Sequence, residues 1–174
     1  MNRKETEFVL GKLEEIALAI NEINNLLSST ILYSEEEKII ISERIEKIKD
    51  LTLLSREKAD KALECKIKNL ITEMGIRYSN AGFNYIVEAV MYVCKNNESS
   101  NIRMSVTKEI YPYVSKKVGN KSSNVERAIR HSVGSIFTKG NLNKITKVFP
   151  YWDPEKESIT NGDFIYGIAD FVTR

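Results

Sequence analysis

Val9, Leu13, Ile16, Ile20, Ile23 and Leu27 recur at alternating steps of four and three. That is the a/d seam of almost three heptads, and it leaves the chain few choices. A segment with this period forms a helix and must lay its seam against another helix. Phe8, Leu10, Ala17 and Leu26 widen the stripe, which fits a hairpin or small bundle as well as a two-stranded coil. Ser28-Ser29-Thr30 ends or loosens the helix, and Ser34 is placed to cap a second one, with Glu35, Glu36 and Glu37 in its first turn. Ile41, Ile45, Ile48 and Leu51 mark the apolar face of that second helix. Two long helices with a short connection predict an antiparallel hairpin. Standing alone, the hairpin would leave much apolar surface in water. The expectation is homodimerisation through Val9, Leu13, Ile16, Ile20, Ile23, Leu27, Ile41, Ile45 and Ile48. The alternative is a fold back onto the rest of the chain.

Three prolines and eight glycines in 174 residues argue against disorder and against a loop-rich fold, so the expected class is all-α. The net charge is only +2, but it is uneven. Residues 1–65 hold 10 Lys or Arg against 14 Asp or Glu, whereas residues 66–174 hold 16 against 10. The second region therefore favours a polyanion and the first does not. Two domains are expected: a helical hairpin over 1–65 and a bundle over 66–174. No secretory leader is visible near the start, and no stretch approaches the ~18 apolar residues of a membrane span. Cys65 and Cys94 lack ligand spacing and read as reduced thiols of a cytoplasmic protein, with Cys94 in the core.

Helix continues or restarts over 56–74, and Gly75 is a plausible stop. Gly82 to Lys95 carries crowded apolar positions and reads as the most buried helix. Asn96 to Asn101 is a polar loop. Ser105 or Thr107 begins a helix through Val118, with Pro112 tolerated near its start. Gly119-Asn120 then turns the chain into Ser122–Val133. Lys139-Gly140 stops that helix, and Asn141 or Asn143 caps a short one. Phe149 to Pro154 forms an aromatic loop in which Trp152 serves as a plug or an interface anchor. Thr160 or Asn161 caps a last helix with Phe164, Ile165, Ile168, Ala169 and Val172 inward.

The stretch Ser122–Val133 carries the chemistry. Ser122 or Ser123 caps it, and Glu126 falls in the first turn. Val125, Ala128, Ile129, Val133 and Ile136 share a helical face that seeks a core. Arg127, Arg130 and His131 stay off that face, where they suit phosphates or base edges; a solvated surface helix has the same look. Helix, short turn and basic second helix form the outline of a helix-turn-helix.

Residues 66–174 resemble the C-terminal DNA-binding domain of the Spo0A family of sporulation regulators. The likeness is carried by Ser123-Asn124-Val125-Glu126-Arg127-Ala128-Ile129-Arg130-His131, by Gly140-Asn141, by Ser105 to Pro112, and by Val114-Ser115-Lys116-Lys117. Gly82 to Tyr85 and Asn161 to Ile165 extend it. The resemblance implies a six-helix bundle whose recognition helix enters the major groove of a TGTCGAA-like box. It implies that Arg127 donates to guanine and that Glu126 accepts from a cytosine amino group. Asn124 joins this base-reading set, at a position where the family often has arginine. Arg130, His131, Ser123, Lys121 and Lys117 become backbone-binding residues. The family precedes this module with a phosphorylatable receiver domain. Residues 1–65 lack its βα pattern, so DNA binding without receiver phosphorylation is expected. Ser42-Glu43-Arg44-Ile45-Glu46 is faintly similar to small Spo0E-like phosphatases, but Glu43 and Glu46 depart from that motif.

An enzyme is not expected: one histidine, no metal-ligand cluster and no glycine-rich phosphate loop are present, and no cofactor or small-molecule substrate is implied. The rival reading is an interaction module or anti-regulator that sequesters a full-length Spo0A-like protein through the hairpin. Contact with RNA polymerase is a further partner that the regulator reading allows.

Overall fold

The computed structural model describes residues 3–29, 34–96, 103–153 and 158–174. Among them every regular element is helical. In chain order these are α1 (Arg3–Ser29), α2 (Glu35–Glu73), α3 (Ala81–Asn96), a π turn (Val106–Ile110), α4 (Tyr111–Val118), α5 (Ser122–Lys139), α6 (Leu142–Val148) and α7 (Asn161–Thr173). The fold is all-α, as the periodicity predicts. Residues 97–101 of the expected polar loop and Pro154 of the aromatic loop lie outside the described residues.

The chain divides into two compact units, Met1–Ala62 and Leu63–Arg174. In the first unit, Ser34 and Glu37 form a capping box: the Glu37 amide donates to Ser34 Oγ at 3.2 Å, and the Ser34 amide donates to Glu37 Oε2 at 2.9 Å. That box starts α2 a few residues after α1 ends. Arg56 of α2 reaches Glu14 of α1 at 3.6 Å, which sets the helices antiparallel. Among the described residues of this unit, Ile20 and Ile45 are the large apolar side chains that are buried, each only 5% exposed. Leu13, Leu27 and Ile41 are half-buried, and Ile16, Ile23 and Ile48 are exposed. The side chain of Val9 lies outside the described residues.

The second unit begins in the last turns of α2, which form one helix with the segment before them rather than a restart. The end of α2, the π turn and α3 to α7 enclose a core around Ile67, Ile71, Met74, Phe83, Ile86, Ile129, Ile136, Phe164 and Ile165. Helix α3 is the centre and packs on α5 and α7. Its buried face runs from Gly82 through Cys94. Burying side chains of this size is worth about 1.5–3 kcal/mol each, which holds the bundle against chain entropy.

Close backbone approaches set the crossings. A Cβ on Gly82 would lie 2.2 Å from Ser132 Oγ and 2.3 Å from the Ala128 carbonyl oxygen, so α3 meets α5 nearly backbone to backbone. Gly75 has φ +105°, a conformation that favours glycine, and a Cβ there would meet Gly140 Cα at 2.8 Å. Gly140 ends α5 with an ordinary φ of −86°. Its small size matters instead: a Cβ would lie 2.2 Å from the Ile136 oxygen and 2.6 Å from the Met74 oxygen. The Asn141 amide donates to that Met74 oxygen at 3.2 Å, and Lys144 pairs with Glu73, joining α6 to the end of α2. Trp152 packs on Phe137 with centroids 4.7 Å apart.

The single helix expected over 105–118 is interrupted. Ser105 caps it, but Val106–Ile110 forms a π turn in which the Ile110 amide reaches the Ser105 oxygen at 3.2 Å. Pro112 explains the wider turn. It has no amide proton to give, and its ring needs room where the carbonyl one turn back would stand.

Candidate nucleic-acid interface

Helix α4 ends at Gly119, whose φ of +67° lets the Gly119 amide close on the Ser115 oxygen. The Asn120 amide donates to the same oxygen at 3.0 Å. This turn aims the chain into α5, completing a helix-turn-helix from α4 to α5. Lys121 stands at the N-cap of α5 and no side chain caps the helix, which corrects the expected serine cap. The helix starts earlier than a serine cap allows because the Lys121 carbonyl already accepts the Asn124 amide at 3.0 Å and the Val125 amide at 3.1 Å, while Asn120 Oδ1 accepts the Lys121 amide at 2.8 Å. Ser122 and Ser123 thereby become helical residues, and Glu126 falls beyond the first turn rather than in it.

Val125, Ile129, Ser132, Val133 and Ile136 of α5 are buried. At about 100° per residue, the opposite face carries Ser123, Arg127, Arg130 and His131, with Asn124 and Glu126 on its flanks. Ser123, Asn124, Arg127, Arg130 and His131 are exposed, and Glu126 is half-buried. Glu126 pairs with Arg130 one turn on. Asn124, Arg127 and His131 line one side of a groove of about 470 Å³, faced by Asn80, Tyr85 and Asn120. The residues predicted for base and backbone contacts on α5 are thus together on one surface. Lys121 is exposed at the mouth of the helix. Lys117 differs. Its Nζ donates to Glu88 Oε2 of α3 at 2.5 Å, and that bond pushes its pKa above the ordinary lysine value.

Two supports were not read from the sequence. Asn161, the first residue of α7, donates from Nδ2 to the Tyr111 hydroxyl at 2.9 Å and to the Glu126 carbonyl at 3.2 Å. It ties the first turns of α5 to α4 and α7, and burial pushes the Tyr111 phenol up. Thr160, not Asn161, caps α7, accepting the Asp163 amide at 3.1 Å. Arg103 braces the same end, 3.1 Å from Asp163 and 4.1 Å above the Tyr166 ring. The Thr160 hydroxyl first, and Arg103 second, hold the Asp163 carboxyl below its ordinary value. The second unread support is Asn120, which donates to the Tyr85 hydroxyl at 3.0 Å and accepts from Asn124 at 2.9 Å. Its position after Gly119 in a helix-to-helix turn was the available signal; the partners of Asn161 lie 35 and 50 residues away and left none.

Among the described residues no three His, Cys, Asp or Glu side chains come close enough to hold a metal ion. Cys65 is exposed and Cys94 buried, and no disulfide joins them. No described helix is long and apolar enough to cross a membrane.

A basic outward face on a well-seated second helix, after a left-handed glycine turn, is the arrangement by which helix-turn-helix proteins meet DNA. The model of the family described as the sporulation initiation factor Spo0A C terminal matches residues 67–172, more than half of the chain. The chain therefore belongs to the Spo0A C-terminal domain family, the DNA-binding effector domain of a sporulation transcription factor.

Proposed function

We propose that the protein is a sequence-specific regulator that presents α5 to the major groove of a TGTCGAA-like box. The observation that carries this reading is the outward face of α5, where Arg127 stands centrally between Ser123, Arg130 and His131 while the opposite face is fixed in the core. Arg127 reads guanine through O6 and N7, and Glu126 accepts from a cytosine amino group. To do so Glu126 releases or shares Arg130, which then turns to a phosphate. Asn124 completes the base-reading set. His131, Ser123 and Lys121 hold the sugar-phosphate backbone, and Lys117 joins them only by leaving Glu88. Within this chain the region before the DNA-binding unit is a pair of helices, so control does not run through an aspartyl phosphate there.

The hairpin supplies the dimer. Ile16, Ile23 and Leu26 of α1 and Ile40, Ile48 and Leu51 of α2 are all more than 40% exposed. On two antiparallel helices in contact at Ile20 and Ile45, the helical period puts these six on one flank. A second copy covers such a flank by forming a four-helix bundle. Two DNA-binding units on one assembly then contact two half-sites.

Fluorescence anisotropy with a box-containing duplex tests the assignment of roles. Arg127→Ala is expected to cost about 1–3 kcal/mol on the box and to relax specificity. Arg130→Ala is expected to weaken binding to every duplex and to lower the salt slope by about 1. Equal losses on box and scrambled DNA for both variants contradict the roles. Sedimentation tests the dimer: a monomer at micromolar concentration refutes it and assigns the flank to another protein.

A further inference from the structure

Three side chains beside α5 form a relay whose orientation is set by a group that can only donate. The Lys121 backbone amide lies 2.8 Å from the Asn120 side chain, so the Asn120 atom facing it is the carbonyl oxygen Oδ1. The same oxygen is 2.9 Å from the Asn124 side chain, so Asn124 must turn its amide nitrogen Nδ2 toward it. The remaining Asn120 nitrogen donates to the Tyr85 hydroxyl at 3.0 Å. Each amide is therefore locked in one of its two flips, counting outward from a single backbone N–H. Tyr85 comes from α3, Asn120 from the turn after Gly119, and Asn124 from the first turn of α5.

The lock decides what Asn124 offers. With one N–H spent on Asn120, it retains Oδ1 as an acceptor and one N–H as a donor. A free asparagine could flip to satisfy a base edge made only of acceptors; a flip of this one breaks its bond to Asn120 and sets two carbonyl oxygens face to face. In the major groove guanine shows acceptors at O6 and N7, and thymine shows O4 and a methyl group, so neither supplies the donor that Oδ1 needs. Cytosine shows a donor at N4 but no acceptor beside it for the remaining N–H, whereas adenine shows a donor at N6 beside an acceptor at N7, which matches both. Asn124 is exposed and borders the same groove as Arg127 and His131.

We propose that Asn124 reads adenine, in the flip imposed on it by Asn120 and Tyr85, which act as positioning residues. This rests on the reading of α5 as the DNA-recognition helix. Selection of binding sites from a randomised duplex pool by the full chain tests it, with Asn124→Ala, Asn120→Ala and Tyr85→Phe in parallel and melting curves to confirm folding. The wild type is expected to prefer adenine about tenfold at one position next to the pairs read by Glu126 and Arg127. Asn124→Ala abolishes that preference alone. Asn120→Ala and Tyr85→Phe weaken it and let guanine in, because the Asn124 amide becomes free to flip, while the other positions stay as in the wild type. Selective binding without an adenine preference that depends on Asn124 overturns the proposal and leaves the DNA reading standing. No enrichment of any sequence by the wild type overturns both. Equal loss at all positions in Asn120→Ala and Tyr85→Phe overturns the positioning role, since it assigns them a purely structural one.

Discussion

Replacing Ser132 by alanine should make this protein more stable, and the reason lies in the α3–α5 crossing. Ser132 is 1% exposed, and among the described residues its hydroxyl is buried with no hydrogen-bond partner. The oxygen sits over Gly82, where there is no room for another heavy atom. A buried hydroxyl without a partner costs about 1–3 kcal/mol relative to water. Alanine also has the better helix propensity, by about 0.5 kcal/mol. Against these gains stands the dispersion lost with one oxygen, on the order of 0.5 kcal/mol. The net expectation for Ser132→Ala is about 1 kcal/mol of stabilisation, or a rise in Tm of about 3–6 °C. Circular dichroism at the helix band reads it directly. DNA affinity should not change, because Ser132 faces away from Arg127 and Arg130. A fall in Tm of 2 °C or more would refute the reasoning, since it would mean the hydroxyl has found a partner that compensates its burial.

Further outcomes follow from the same geometry. Gly82→Ala and Gly140→Ala put a Cβ within 2.3 Å of backbone oxygens, which cannot step aside as a side chain can, so each should lose about 1–3 kcal/mol or more on denaturant unfolding. Gly134→Ala is the contrast: a Cβ there meets nothing within 4 Å in mid-helix, and chemical denaturation should show a gain of about 0.5–1 kcal/mol. Asn161→Ala takes a hydrogen-bond donor from the Tyr111 hydroxyl and removes the second bond to the Glu126 carbonyl; it should lower stability by about 1–3 kcal/mol and reduce DNA affinity through looser first turns of α5. Asp163 has a depressed carboxyl, so its contribution is complete above the unfolded-state value near about 4 and disappears as pH falls through the lower folded-state value. The gap in Tm between wild type and Asp163→Asn should therefore close on going from about pH 5 to about pH 2.

Helix existence was legible in the sequence because it rests on local chemistry. The four-and-three spacing from Leu13 to Leu27, the Ser34–Glu37 box and the glycine turn before α5 each act within a few residues. What escaped reading depends on partners brought together by the fold. Ser132 looks polar in any periodicity count, yet the glycine at 82 draws α3 so close that its hydroxyl is enclosed. Lys117 reads as a free cation near a basic turn, but Glu88 stands beside it on α3. The expected serine cap gave way because the Lys121 carbonyl takes the Asn124 and Val125 amides and draws both serines into the helix. Gly140 was read as a helix stop, which it is, though packing against Met74 and not backbone conformation demands it. Arg127, Arg130 and His131 could be placed on one surface from spacing alone, whereas Asn124 joined them only through the family resemblance and the relay that orients it runs through Tyr85, 39 positions away in the chain.

The central claim is that α5 reads DNA sequence. Its most direct test is a binding titration of the full chain against a duplex carrying a TGTCGAA-like box and against a scrambled duplex of equal length, repeated over a salt series. The box is expected to bind at least about a thousandfold tighter at physiological salt, with the logarithm of both binding constants falling linearly with log salt. Equal affinity for the two duplexes at every salt concentration would contradict it.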